Sequence, residues 1–394
     1  MQTGQLLYAK LTFVQANLDH CGVLQIEPTD HCNLSCRMCI PHFTGQKEIH
    51  GVPKGIMKME TYRRIVDGIV KDKVRFDHVI FQWLGDPSLH PHLEEMIAIA
   101  QDRLADQVGY LRIDTNAIVL TPERMDRLVE VYARRPELPL LVVFTMDAVS
   151  RDVYLDVKGQ DALERVRRHV RHFIMRRAQL PFDDVRLNAQ FQFVLQPGNA
   201  HETKAFVEYW QNFLACHGGK RGYDEIMIKR LALDAGGEGQ IEADTLYEET
   251  IEKQRIRALP EGPAKVLLWE NRAWESTAKP AGSFRQPCPG MWLTPVIRHD
   301  GHLMMCCVDL SGKLDLGDLN THRFKTLWEG PIAQAYRLSH IQGRFDEAGP
   351  CGSCGGINWY DTPPEFVEAW LKKEGKDELW PEYNRRMERS ECEV

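Results

Sequence analysis

Three cysteines stand close together near the front of the chain, in Cys32-Asn33-Leu34-Ser35-Cys36-Arg37-Met38-Cys39, a CxxxCxxC spacing. Thiolates this close can each take one corner of a cubane iron–sulfur cluster, which leaves the fourth iron open to an outside ligand. Structural zinc is the other reading, but such sites favour four ligands in paired spacings. Only His31 and His42 stand near enough to supply a fourth. A second group, Cys288, Cys306, Cys307, Cys351 and Cys354, lies near the back, while Cys21, Cys216 and Cys392 are solitary. The first twenty residues carry neither a basic start nor a continuous apolar stretch, so no secretory signal is readable. Eleven cysteines then fit a reducing, cytoplasmic setting, where clustered thiols are metal ligands more often than disulfides.

The elements that must position these thiols alternate along the chain. Gly22 to Glu27, His78 to Leu84, Gly109 to Asp114, Leu140 to Met146, Val185 to Leu195 and Asp224 to Leu231 read as strands. Between them apolar residues recur at helical spacing, as in Tyr62, Ile65, Val66 and Ile69, or Leu163, Val166, Val170 and Phe173. Thr121-Pro122-Glu123 opens one helix with Thr as N-cap and Pro at the first helical position. This alternation predicts an α/β fold with a parallel sheet under helices, a partial (β/α)6 TIM-like barrel two units short of eight. Ligands of such sheets bind at the carboxyl ends of the strands, so cysteines directly after the first strand belong at the mouth.

Around this barrel the chain divides into an N-terminal extension (1–21), the barrel (22–234), a linker with a helix (235–268), a second module (269–382) and a charged, frayed tail (383–394). Of the 394 residues 43% are hydrophobic and 27% charged, enough apolar material for a substantial core. No run of 18 apolar residues occurs, which excludes a membrane-spanning helix. A formal charge of −7 gives no pull toward nucleic acid or anionic membrane. The cationic stretch Arg165 to Arg177 reads as a solvated helix face.

Taken with their places at predicted strand ends, these motifs resemble the radical S-adenosylmethionine (SAM) superfamily over Gly22 to about Asp234. The resemblance implies that Cys32, Cys36 and Cys39 hold a [4Fe–4S] cluster whose open iron is chelated by SAM. Reduction then cleaves SAM to methionine and a 5′-deoxyadenosyl radical, which abstracts a hydrogen atom from the substrate. Met38 stands where relatives place an aromatic residue near the adenine. Trp83-Leu84-Gly85-Asp86-Pro87 resembles the Gly-Glu-Pro segment that binds the SAM amino group, with Asp86 for Glu and Leu84 for a second glycine. Asp114-Thr115-Asn116-Ala117 is similar to a Thr-Asn-Gly strand end, and Thr145-Met146-Asp147-Ala148 to the segment near the ribose. Gly85, Asp86, Pro87, Asn116, Asp147 and Gln192 are thus expected around SAM, with Gln190, Lys229 and Arg230 as further cavity candidates.

In the back group, Trp292 to Met305 reads as a hairpin turning at Asp300-Gly301. Leu316-Gly317-Asp318, a Trp-bearing helix around Lys325 to Leu338 and Cys351-Gly352-Ser353-Cys354 follow. That order resembles the auxiliary-cluster module called SPASM, or its shorter one-cluster form, twitch. The resemblance implies one further [4Fe–4S] cluster on Cys288, Cys306, Cys351 and Cys354, with Cys307 able to replace Cys306; structural zinc is the alternative. One-cluster relatives include dehydrogenases of aminocyclitols. They imply an oxidoreductase acting on a small polar substrate, an alcohol carbon of a sugar or aminocyclitol, with the auxiliary cluster accepting an electron. An external donor of flavodoxin or ferredoxin type and Asp309 as base complete the expectation. The alternatives are an epimerase using a thiol donor (Cys216, Cys21 or Cys307), a peptide-modifying maturase, and a zinc-stabilised binding protein. His42, His90, His92 and Trp359 are expected in neutral core or surface roles.

Overall fold

Leu24 and Ile26 are fully buried and, flanking Gln25, form the short strand β1 (Val23–Ile26). In the computed structural model, which describes residues 21–39, 48–49, 52–181, 186–218, 223–232, 238–269, 285–310, 312–354 and 362–391, five more parallel strands follow. These are β2 (Phe76–Phe81), β3 (Val108–Thr115), β4 (Leu140–Thr145), β5 (Leu187–Leu195) and β6 (Asp224–Arg230). Helices α1 (Met59–Asp72), α2 (Leu93–Leu104), α3 (Pro122–Arg134), α4 (Arg151–Lys158), α5 (Leu163–Ala178) and α6 (Thr203–His217) connect them. The expected six-unit barrel is present. Pro122 opens α3 as expected, although Thr121 makes no side-chain capping bond.

The two sheet faces differ in chemistry. On one, Val79, Leu111, Ile113, Val142, Phe144, Phe191, Phe193, Ile226 and Ile228 are buried in the apolar layer beneath the helices. The other face carries Tyr110, Leu141 and Val143 as a separate small apolar group, with Arg112, Asp114, Gln190, Gln192, Glu225 and Lys229 at alternate positions. Arg112 on β3 acts electrostatically on Glu225 and Lys229 of β6, three strands away. In a flat sheet three strand spacings span about 14 Å. Their mutual influence is that of a curled sheet whose second face lines a lumen.

The parallel pattern runs one strand further than the sequence suggests. After α7 (Glu238–Lys253), β7 (Ala264–Trp269) pairs with β6 inside the segment read as linker. Its mostly half-buried pattern is that of an edge strand, which lacks the continuous apolar signal of the others. At the other edge, β8 (Val296–Ile297) pairs in parallel with β1, matching Gln25 with Val296 and Ile26 with Ile297. Strands β9 (His302–Met304) and β10 (Asp315–Asp318) follow antiparallel. Barrel and C-terminal module therefore share one ten-stranded sheet, ordered β10-β9-β8-β1-β2-β3-β4-β5-β6-β7. The expected hairpin turns at Gly301, whose φ of +94° suits a residue without Cβ.

Three further expectations are corrected. The helix expected over Lys325 to Leu338 is two, α8 (Phe324–Trp328) and α9 (Pro331–Ile341), because Gly330-Pro331 interrupts it. The described part of the tail is not frayed: α10 (Trp380–Glu391) buries Tyr383, which stacks on Trp380. The Arg-rich helix α5 is not wholly a solvated face either, since Arg177 is buried and bonds Asp224 of β6 at 2.5 and 2.6 Å. No described helix is long and apolar enough to cross a membrane.

Candidate active site

The loop carrying Cys32, Cys36 and Cys39 leaves the carboxyl end of β1 and rests on the last turn of α4. Leu34 is its buried anchor. The Ser35 N–H donates to the Lys158 carbonyl at 3.4 Å and the Arg37 N–H to the Val157 carbonyl at 3.1 Å. These carbonyls sit at a helix end that has no intrahelical donors for them. Helix α4 was not anticipated from the sequence; eight residues are too few to show a clear stripe. The three thiols are half-buried and lie within one another's electrostatic reach. Burial, then Asp86, pushes the Cys32 thiol up to about 12. Burial also raises Cys36, and there the Lys158 ammonium pulls the other way.

The Gly85-Asp86-Pro87 turn packs directly against this loop. A Cβ on Gly85 would stand 2.3 Å from the Thr29 carbonyl oxygen and 2.5 Å from that of His31, so only glycine fits. The Asp86 N–H donates to the His31 carbonyl at 2.8 Å. The Asp86 carboxylate accepts from the Ser88 N–H (2.9 Å), the Thr115 hydroxyl (2.9 Å) and the Asn116 N–H (2.7 Å). It therefore ties the end of β2 to the end of β3. Asn116 reaches the cysteine loop itself, donating to Asn33 at 2.8 Å with Nδ2 4.0 Å from the Cys32 sulfur. Met38 leans toward the end of β5, where Gln196 Nε2 lies 3.4 Å from its sulfur.

Asp147 is fully buried at φ +59°. Its carboxylate forms a buried ion pair with Lys158 and accepts from the Val194 N–H at 2.6 Å. The side chain expected near a ribose is thus engaged within the chain, holding α4 under the cysteine loop. Lys158 itself carried no sequence signal.

Deeper in the lumen, Gln190 donates to Glu225 at 2.8 Å, and Arg112 grips Asp114 through two bonds of 2.6 Å. Burial holds the Glu225 carboxyl up at about 7. The Oε1 atoms of Gln25, Gln190 and Gln192 are buried without a partner. Gln190, Gln192 and Lys229 belong to the inward face. Arg230 does not: it turns outward onto the Tyr247 ring and pairs with Asp244 and Glu248.

In the C-terminal module burial raises the Cys351 thiol, and then Cys306, Cys288 and Cys354 raise it further, so these four thiols surround one region. Arg285 donates to the carbonyls of Cys351 (2.8 Å) and Cys354 (2.9 Å) while its guanidinium lies over Phe345. The Cys288 N–H donates to His340 Nδ1 at 3.2 Å. Burial, then Arg285, pushes His340 down to about 3, which keeps that nitrogen an acceptor. Cys307 lies beside Cys306, and its carbonyl accepts the Trp83 indole N–H at 2.8 Å.

A second contact joins the two modules. Glu27, at the end of β1, accepts from the Leu84 N–H (3.2 Å) and from the His299 N–H (3.3 Å). His299 Nδ1 also lies 3.3 Å from Glu27. Burial disfavours charging this imidazole, but the bond to Glu27 and the field of Asp30 outweigh it, and its pKa is raised. Glu27 and His299 escaped the sequence reading, as did the tie of Trp83 to Cys307, because each acts through a partner more than fifty residues away.

The remaining candidates take other places. Asp309 is buried with its carboxylate accepting from the Leu314 N–H at 2.7 Å, bracing the auxiliary loop. Cys216 is exposed on the last turn of α6, which in a βαβ unit lies at the end of the barrel opposite the mouth. His90 is buried between Met57 and the His92 backbone, and His92 pairs with Glu95. His42, Trp359 and Cys392 lie outside the described residues.

Comparison with known proteins decides the family. Residues 26–175 match the radical SAM superfamily, and residues 288–355 match the iron–sulfur cluster-binding domain SPASM. This chain carries a radical SAM domain followed by a SPASM domain. It is 29% identical over 127 residues to a tungsten-containing aldehyde ferredoxin oxidoreductase cofactor-modifying protein of Pyrococcus furiosus, covering 32% of this chain and 31% of that protein. It is 32% identical over 123 residues to a GTP 3′,8-cyclase of a Synechococcus species, covering 30% and 32%. The chain thus spans about a third of the length of these curated relatives. The solved structure of anSMEcpe with bound AdoMet covers 95% of this chain and 96% of its own, at 15% identity and a TM-score of 0.54, which shows a shared fold.

Radical SAM and SPASM domains use [4Fe–4S] clusters and SAM, and the residues present fit them. The front loop offers three thiols from the chain and leaves one cluster corner free.

Proposed function

We propose that this radical SAM enzyme oxidises a small polar substrate seated in the barrel lumen, taking a hydrogen atom from an alcohol carbon of a sugar or aminocyclitol. In this reading one electron passes to the C-terminal module. When bound, a [4Fe–4S] cluster and SAM supply the 5′-deoxyadenosyl radical for that abstraction, and a second cluster supplies an electron acceptor. Cys32, Cys36 and Cys39 would hold the first, and Cys288, Cys306, Cys351 and Cys354 the second. Gly85 lets the β2 end lie flat under the cysteine loop, and Asn116 fixes that loop through Asn33. Gln190 and Gln192 present carboxamide oxygens that suit hydroxyl donors.

The observation that carries the reading is the Trp83–Cys307 hydrogen bond. It joins the segment beside the SAM motif to the residue next to Cys306, so the second thiol group adjoins the barrel. Losing a hydrogen atom, then a proton and one electron, converts an alcohol to a carbonyl, so an acceptor held beside the lumen favours oxidation.

The test starts from iron and acid-labile sulfide per chain after anaerobic reconstitution. About eight irons, falling to about four in the Cys32/Cys36/Cys39→Ala variant, are expected for two four-iron sites. Incubation with SAM, dithionite and a panel of polyols and aminocyclitols should then give 5′-deoxyadenosine and a product lighter by two hydrogens. A product of unchanged mass carrying solvent deuterium would replace oxidation by epimerisation, and zinc in place of iron would end the radical reading.

A further inference from the structure

We infer that Lys229, backed by Trp269, is a recognition point for an anionic group, carboxylate or phosphate, on a substrate that also carries hydroxyl or amine donors. The inference rests on the lumen being the substrate site. Lys229 is the penultimate residue of β6, at the mouth end of the inward face. Its Nζ lies 5.5 Å from the centroid of Trp269, the residue opposite it on β7.

Charge arithmetic sets Lys229 apart. The buried cations of the barrel are committed: Arg177 to Asp224, Lys158 to Asp147, Arg112 to Asp114 and Arg230 to Asp244 and Glu248. The carboxylates whose fields favour charge on Lys229 are Asp114 and Asp147, both already neutralised by Arg112 and Lys158. Lys229 has no carboxylate of its own: Glu225, four residues back on the same face, is bonded to Gln190 with its carboxyl raised by burial, and among the described residues the one specific contact of Lys229 is the Trp269 ring. Burial, then Arg112, holds its pKa down, an effect an incoming anion would reverse. A half-buried cation at the mouth of the lumen with no counter-charge of its own points to a ligand that completes the pair.

An independent observation supplies the rest of the ligand. On the adjoining strand β5, on the same face, Gln190 and Gln192 are buried with unpartnered Oε1 atoms, and β1 adds a third from Gln25. These acceptors call for O–H or N–H donors. Anion and donors together describe a sugar acid, a phosphorylated polyol or an amino acid-like molecule.

The experiment is calorimetric titration of the anaerobically reconstituted enzyme, with SAM bound, using gluconate, glucose 6-phosphate and neutral sorbitol. At least one anion should bind tenfold or more tightly than sorbitol, and which one does so distinguishes carboxylate from phosphate. Lys229→Met should erase the preference, and Lys229→Arg, which keeps the charge if the smaller change is needed for folding, should retain it. No preference in the wild type, or a preference surviving Lys229→Met, overturns the inference. A tenfold loss of SAM affinity in Lys229→Met also overturns it, by assigning the lysine to SAM. Wild-type enzyme that forms 5′-deoxyadenosine but ignores the anions fails this inference alone. An anion preference with a product of unchanged mass fails the oxidation reading alone.

Discussion

Gly85 shows how little space the mouth allows: a single methyl group would sit inside contact distance of two carbonyls of the cysteine loop. Gly85→Ala should therefore displace that loop and lower iron per chain from about eight toward about four, with the C-terminal site still loaded. Trp83→Phe keeps a buried ring but removes the donor to the Cys307 carbonyl. A buried acceptor left unpaired costs about 1–3 kcal/mol. The variant should melt at lower temperature, and the electron-paramagnetic signal of the C-terminal cluster should change while that of the front cluster does not. Glu225 gives a pH signature. With its carboxyl raised from 4.5 to about 7 by burial, the folded chain keeps a proton in that window which the unfolded chain releases. Stability from the neutral acid is thus lost as pH rises through that window, by about 3 kcal/mol. Glu225→Gln should flatten the denaturation midpoint between pH 5 and pH 7 (about the same window); a variant that tracks the wild type there would exclude the effect.

At the scale of elements, α5 is fastened to β6 by the Arg177–Asp224 pair, both residues nearly fully buried. Asp224→Asn leaves the guanidinium without its counter-charge, and chemical denaturation should show a loss of about 3–5 kcal/mol. The strands that these helices cover were legible where both faces are buried and leave a continuous apolar run, as in Leu140 to Thr145. Edge strand β7 was not, since one side of its pairing is open and its side chains are mostly half-buried. The two cysteine groups were legible in the sequence, the front one from its spacing, yet the roles of the carboxylates around them were not. Asp86 and Asp147 share the strand-end positions of ligand-binding residues, but only the three-dimensional partners, Thr115 and Asn116 for one and Lys158 for the other, show both holding the scaffold. Glu27 and His299 are separated by 272 residues, a pairing that no local pattern encodes.

Over the whole molecule, the C-terminal module completes the sheet, because β8 covers the edge of β1 that the barrel leaves open. A chain ending at residue 284 should expose that edge, together with the Glu27 carboxylate that His299 otherwise satisfies. Such a chain is expected to aggregate; a soluble monomer by light scattering would show the barrel to be self-sufficient. The same pairing carries a consequence for biosynthesis. Gln25 leaves the ribosome long before Val296, its neighbour in the finished sheet. At translation rates of about 5–20 residues per second the wait is on the order of tens of seconds. Throughout it, the strand that launches the cysteine loop lacks one of its two neighbours. Chaperones and the machinery that installs iron and sulfide meet a nascent chain whose front thiols are already displayed while their supporting strand is half-paired. The order of events in the cell, metal first or last third of the chain first, is therefore set by the distance along the polypeptide between the two strands of a single pair.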